Sequence, residues 1–279
     1  MSAAARLIAF AALLALAFGA AAFAGDRVGW TPRTGDDGAS RAGHGEDDGM
    51  ASSEHGGAEA AGLAISEDGL TLALDRTRLQ PGRATTLRFR IVGKDGETVR
   101  DFDVEHTKRM HLIVVRRDLS GFQHLHPTQA RDGSWSVPLR FDDPGAYRVF
   151  ADFKHDGERH TLGADVAVDG DAAARPLPPA ASTATVDGYR VALEPAREGE
   201  LRFSVTRGGK PVDVEPYLGA RGHLVALREG DLAYLHVHPD ADSLSFMAEF
   251  PSAGRYRLFL QFQHEGRVHT AAFTQEVKS

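Results

Sequence analysis

After residue 65 the apolar positions come in short runs that alternate with polar ones. Examples are "LTLAL" (70–74), "TTLRFRIV" (85–92), "HLIVV" (111–115), "WSVPLRF" (135–141) and "AYRVFADF" (146–153). These runs are rich in β-branched and aromatic residues and are separated by "PG", "DG", "GS" and "DDPG"; no comparable stretch has a helical period. Short strands with frequent turn signals predict an all-β chain of antiparallel sandwiches.

The run "DGDAAARPLPPAASTA" interrupts the pattern with three prolines, and residues 170–185 are expected to be a linker between domains. A second strand-rich block follows, and it copies the first. His111 to Pro127 aligns with His223 to Pro239 without a gap, and Gly145 to Thr161 aligns with Gly254 to Thr270. Fifteen of those 34 positions are identical, and all five histidines among them are kept. Each copy suits a seven-stranded immunoglobulin-like sandwich, over 63–169 and 186–279. "DDPGAYRVF" and "PSAGRYRLF" resemble the turn and tyrosine that open the sixth strand of such domains.

The N-terminus differs in kind. Arg6 precedes 18 uncharged, mostly apolar residues, Leu7 to Ala24, ending in "AFA". Residues 1–24 are therefore expected to be an export signal peptide or, if uncleaved, a membrane anchor, which places the remainder outside the cytoplasm. Residues 25–62, rich in Gly, Asp, Ala and Ser, lack any periodic apolar pattern and are expected to be a disordered linker. His44, Met50 and His55 belong to that solvated stretch.

Composition narrows the chemistry. A net charge of -7 argues against a nucleic-acid partner. With no cysteine, disulfides, iron–sulfur clusters, thiolate nucleophiles and blue-copper centres are excluded. Histidine stands out: 13 in all, 11 of them after residue 100.

In "FQHLHP" and "YLHVHP" the two histidines are two residues apart, so on a strand they share a face. His111 is in phase with Ile113 and Val115. If "RDLSG" turns the chain and Ile113 pairs with His124, His111 falls opposite His126. If Asp156 and Gly157 form a two-residue hairpin turn, His155 faces Glu158 and His160 faces Phe153. Whether these join the first three depends on a packing that local pattern does not give.

Imidazole clusters without cysteine suit copper(II), zinc(II) or nickel(II), with copper(II) expected first and zinc(II) next. The candidate ligands are His111, His124, His126, His155 and His160 in the first repeat, and His223, His236, His238, His264 and His269 in the second. Asp156, Glu158 and Glu265 are candidates to orient the rings. His106 has no counterpart, since Leu218 stands there; it is read first as a surface residue, with an extra ligand as the alternative. No catalytic motif is present, and no enzymatic activity is expected. The competing reading is a tandem module that binds a protein or cell-envelope partner without metal.

The export signal, "MHLIVVRRDLSGFQHLHP" and "PGAYRVFADF" together resemble bacterial secreted proteins of the YtkA-like and copper-resistance immunoglobulin-like group. The resemblance covers both repeats. It implies extracytoplasmic handling of copper or another heavy metal by the matched histidines, with a metal-transfer or cell-envelope protein as partner.

Overall fold

Alternation along each run decides which face of its strand meets the core. The structure is a computed structural model that describes residues 60–197, 199–235, 237–239 and 242–278. Residues 1–24, expected as a signal or anchor segment, nearly all of the expected 25–62 linker, and His236 lie outside the described residues, and of His238 only the backbone is described. The described residues form strands, turns and loops, with no helix among them.

In the first repeat the strands are β1 (Ser66–Glu67), β2 (Leu70–Leu74), β3 (Arg78–Leu79), β4 (Ala84–Val92), β5 (His111–Arg116), β6 (Gln123–Leu125), β7 (Thr128–Gln129), β8 (Trp135–Arg140), β9 (Gly145–His155) and β10 (Glu158–Val168). They form two five-stranded sheets, ordered β1-β2-β4-β8-β7 and β3-β10-β9-β5-β6. The second repeat has β11 (Thr183–Val186), β12 (Tyr189–Glu194), β13 (Glu200–Arg207), β14 (Lys210–Pro211), β15 (Gly222–Arg228), β16 (Tyr234–Leu235), β17 (Val237–Pro239), β18 (Ser245–Ala248), β19 (Gly254–His264) and β20 (Arg267–Val277). Its sheets run β11-β12-β13-β18-β17 and β16-β15-β19-β20. The chain is thus two tandem immunoglobulin-like β-sandwiches.

Strand β4 shows the half-buried pattern: Leu87, Phe89 and Ile91 are buried, while Arg88 on the other face is exposed. Both sandwiches have a tyrosine at the start of a long strand whose hydroxyl donates to a carbonyl four residues upstream, Tyr147 to Asp143 and Tyr256 to Ser252, each at 2.9 Å. These are the tyrosine corners of the fold. The β9–β10 hairpin turns through Asp156 and Gly157, both at positive φ (50° and 83°), so His155 pairs with Glu158 and His160 with Phe153.

Strand β5 departs from alternation, because all six of its residues are buried. Its even positions, Leu112 and Val114, belong to the first sandwich core; Ile113 and Val115 belong to a different apolar cluster. That cluster also takes in Leu119, Phe150, Val225, Leu227, Tyr234 and Phe259. The outer face of the β9–β5 layer therefore packs on the outer face of the β15–β19 layer.

The packing is reciprocal. Phe122 stacks on Phe259 with centroids 4.0 Å apart, and Phe150 meets Tyr234 at 5.5 Å. Phe122 aligns with Tyr234 and Phe150 with Phe259, so the same contact is made twice, as across a two-fold axis in an isologous interface. The segment before β1 ties the halves further. The Tyr234 amide donates to Ala61, and the Arg148 guanidinium donates to the carbonyls of Gly62 and Leu63.

Candidate metal centre

The register expected for the first hairpin is present, with Ile113 opposite His124 and Leu112 opposite Leu125. His111 and His124 therefore share the face of Ile113, which is the face between the sandwiches. Their rings lie 5.3 Å apart, and the His126 ring is 5.1 Å from His111 and 4.8 Å from His124. One ring nitrogen of each lies within 4.8 Å of the others.

His223 enters from the second sandwich, with its ring 6.2 Å from His111 and 6.1 Å from His124. His106 lies 5.1 Å from His223, on a tight turn where both His106 and Thr107 have positive φ. Its reading as a surface residue is corrected by this position: with His111, His124, His223, Glu105 and Asp152 it lines a cavity of about 40 Å³. A space of that size holds an ion with a water or two.

Outer partners fix which nitrogen of each ring carries its proton. His111 Nε2 lies 3.2 Å from the carbonyl of Glu105, and His223 Nε2 lies 3.1 Å from that of Tyr217. A carbonyl only accepts, so both rings are Nε2–H donors with the Nδ1 lone pair free. His124 Nδ1 lies 2.6 Å from Gln261 Oε1, whose amide nitrogen in turn donates to Thr270. His124 is thus an Nδ1–H donor with its Nε2 lone pair free.

The two free lone pairs face each other, since His111 Nδ1 and His124 Nε2 are 3.1 Å apart. Two neutral acceptors at that distance repel, and something positive between them removes the conflict. His126 Nε2 is also buried and without a partner. A second proton on His111, or a Gln261 amide turned to donate to His124, would relieve the first pair alone, whereas a metal ion accepts all three lone pairs. Two ligands about 2.0–2.1 Å from one ion sit about 3.3 Å apart at a tetrahedral angle, close to the observed spacing.

The surroundings keep His124, His126 and His223 neutral. Burial, with the neighbouring His111 and His126, holds His124 well below the usual histidine range. Burial first and then the charges of His111 and Lys108 push His126 down to about 3, and burial with His106 and His111 pushes His223 down to about 4. Neutral imidazole is the ligating form. Asp152, opposite His111 on β9, supplies a carboxylate beside the cavity and accepts from the Tyr234 hydroxyl at 3.4 Å and from Thr161 at 3.0 Å.

The remaining predicted ligands go elsewhere, for a reason of parity. His111 pairs with Asp152, so it shares a face with the even positions of β9. His155 continues the odd positions, Tyr147 to Phe153, which face the first core, and His160 pairs with Phe153 on that same side. His155 and His160 therefore stand apart from His111, His124 and His126, and among the described residues the cluster that forms lies between the repeats. His264 and His269 repeat the inner-face arrangement: His269 pairs with Phe262 of the second core, while His223 pairs with Gln261 on the other face. His236 and the His238 side chain lie outside the described residues.

Sequence reasoning missed Gln261, Asp152 and the shared nature of the site. A signal was there: "HLIVV" and "HLVAL" are continuous apolar runs, the mark of strands covered on both faces.

No curated protein matches the chain. Among solved structures, the Escherichia coli adhesin FdeC is 14% identical, with 77% of this chain and 66% of that one covered and a TM-score of 0.28. Invasin, a bacterial integrin-binding protein, is 17% identical over 74% and 38%, with a TM-score of 0.27. A Salmonella alpha-2-macroglobulin is 16% identical over 78% of this chain and 15% of its own length, with a TM-score of 0.29. Similarity at that level carries no argument about function. The sequence itself matches one family at residues 64–170 and 184–279, and the chain belongs to that family, described as a domain of unknown function, DUF8832.

Proposed function

We propose that the protein binds one divalent transition-metal ion between its two sandwiches, copper(II) ahead of zinc(II), in extracytoplasmic metal resistance or delivery. His111 Nδ1, His124 Nε2 and a nitrogen of His126 are the ligands, with His223 and His106 next to them. The observation that carries this reading is the pair of facing lone pairs of His111 and His124, 3.1 Å apart, each fixed by an outer acceptor.

The metal preference rests on donor type. An all-imidazole set suits both ions, and affinity for divalent ions generally rises to copper(II) and falls to zinc(II). The Gln261 and Glu105 contacts hold ring orientation, a role whose loss commonly costs 10- to 100-fold in affinity. The extracytoplasmic setting rests on residues 1–24, and the copper-handling role agrees with the resemblance noted above.

Metal content of the protein purified without affinity resin tests the reading. About one equivalent bound at the interface is expected, lost when His124 and His126 are both replaced by alanine and kept when His264 and His269 are. Nitrogen hyperfine structure in the copper(II) resonance should report three or four imidazoles. An unchanged metal content in the His124/His126 variant would falsify the assignment and favour a metal-free module that binds a protein or envelope partner.

A further inference from the structure

The inner-face histidines of the two repeats have different surroundings. In the second repeat the end of the sandwich is filled. Tyr189, fully buried in that core, accepts from Arg207 at 3.2 Å and donates to His264 Nδ1 at 2.8 Å. The Arg207 guanidinium lies 5.0 Å over the Tyr189 ring and pairs with Glu265 at 2.9 Å. His269 Nδ1–H donates to Asp187 at 2.7 Å.

Strand register identifies the counterparts. Tyr189 pairs with Arg207 one step beyond Arg190 and Thr206, and one step beyond Thr71 and Val92 stand Leu70 and Gly93. Leucine replaces the tyrosine, and glycine replaces the arginine. The space this leaves is a cleft of about 380 Å³ lined in part by Asp68, Gly93, Asp95, Asp156, Glu158 and His160. With Glu97 it carries five carboxylates against the single ammonium of Lys94.

His160 is only 5% exposed, yet its Nδ1 has no hydrogen-bond partner. A buried ring nitrogen left without a partner is destabilising unless something serves it. The nearest carboxylate oxygen, Asp68 Oδ2, stands 3.8 Å away, whereas the equivalent Asp187 makes a full hydrogen bond in the other repeat. A gap of 3.8 Å is too long for a hydrogen bond. It admits an ion about 2.0–2.2 Å from each atom. His155 sits on the rim with its Nδ1–H donated to Asp101, and its Nε2 is 3.6 Å from Asp156.

We propose that this cleft is a second divalent-cation site of the zinc(II) class, held by His160 Nδ1 and the Asp68 carboxylate. Among the described residues three ligand nitrogens converge within 4.8 Å at the interface alone, so here water fills the other coordination positions. Asp156 and Glu158 contribute outer negative charge. With fewer protein ligands the site is weaker and exchanges faster than the one between the domains. The second repeat lacks it, because Tyr189 and the positive Arg207 occupy the place.

Zinc(II) titration of the full chain by calorimetry, with metal analysis of each variant, tests this. Two equivalents of unequal affinity are expected. Asp68→Asn, at an exposed position, should weaken the lower-affinity equivalent at least tenfold, His160→Ala should abolish it, and Leu70→Tyr with Gly93→Arg should block it. His124→Ala with His126→Ala should remove the tighter equivalent alone. Wild-type binding of the weaker equivalent in both the Asp68→Asn and His160→Ala chains would overturn the proposal and leave the interface reading intact. A titration in which only the Asp68-sensitive equivalent appears would sink the interface reading and support this one.

Discussion

On the faces that meet, the two repeats are nearly interchangeable. His111 and His223 each donate Nε2–H to the carbonyl six residues earlier, and Phe122 on Phe259 is answered by Tyr234 on Phe150. At their inner ends the repeats part company: Tyr189 and Arg207 fill the second, while Leu70 and Gly93 leave the first open. Among the described residues the histidines therefore divide by face: those on the outer face are covered by the other repeat, and those on the inner face depend on whatever side chain their own sandwich sends.

The largest test of that contrast falls on the shared face. Phe259→Ala removes a stacked partner from a buried cluster, and a loss of about 3–5 kcal/mol is expected from transfer and cavity costs. Tyr234→Ala breaks the mirror contact, which is longer and tilted, and should cost less. Urea unfolding of both variants provides the measurement. A Phe259→Ala loss under about 1 kcal/mol would mean that the sandwiches do not pack through this surface.

Next in size is the division of labour between the symmetric histidines. His111→Ala takes away a proposed ligand and should weaken copper(II) binding at least 100-fold, about 3 kcal/mol. His223→Ala should weaken it about tenfold, because that ring sits beside the trio of His111, His124 and His126 and not within it. Competition titrations against a chelator of known affinity read both. Equal losses would make the centre two-fold symmetric, with His223 a full ligand.

A third test uses acid. Burial and the nearby His106 and His111 hold His223 down at about 4, against 6.5 for a free histidine. The folded state thus binds fewer protons than the unfolded one between those values. In metal-free protein the associated stability is complete above pH 6.5 and declines as pH falls to about 4, by about 1 kcal/mol per pH unit for a histidine still neutral in the fold. His223→Ala should flatten the slope of stability against pH by about one proton in that window. An unaltered slope would show that the ring is not held neutral.

Much of this is legible in the sequence. Strand alternation gave the sandwiches, the Asp156-Gly157 turn paired His155 with Glu158, and the period of two put His124 on the face of His126. What pattern within a strand does not carry is the register between β5 and β9, and that register decides that His111 and His155 sit on opposite faces of one sheet. Nor does it say what covers an outer face. The unbroken runs at 111–115 and 223–227 announced a cover, but its identity as the other repeat came from long-range packing of Ile113, Val225 and Phe259.

The smallest expected effect bears on how far the equivalence of the repeats extends. Tyr147 and Tyr256 make the same corner bond at the same length, 2.9 Å, from a fully buried ring. Removing the hydroxyl leaves the ring's packing in place and strands one carbonyl, so each Tyr→Phe change should cost about 1 kcal/mol. The corners differ in their neighbours: Ser252 Oγ lies 3.4 Å from the Tyr256 hydroxyl and also receives the Arg228 guanidinium. That serine can turn toward the vacated position, so Tyr256→Phe should cost somewhat less than Tyr147→Phe, where the hydroxyl answers Asp143 alone among the bonds it donates. Shifts in the urea midpoint, taken at constant slope, resolve the pair. A larger loss at Tyr256 would show that the serine and arginine depend on the tyrosine hydroxyl and do not substitute for it.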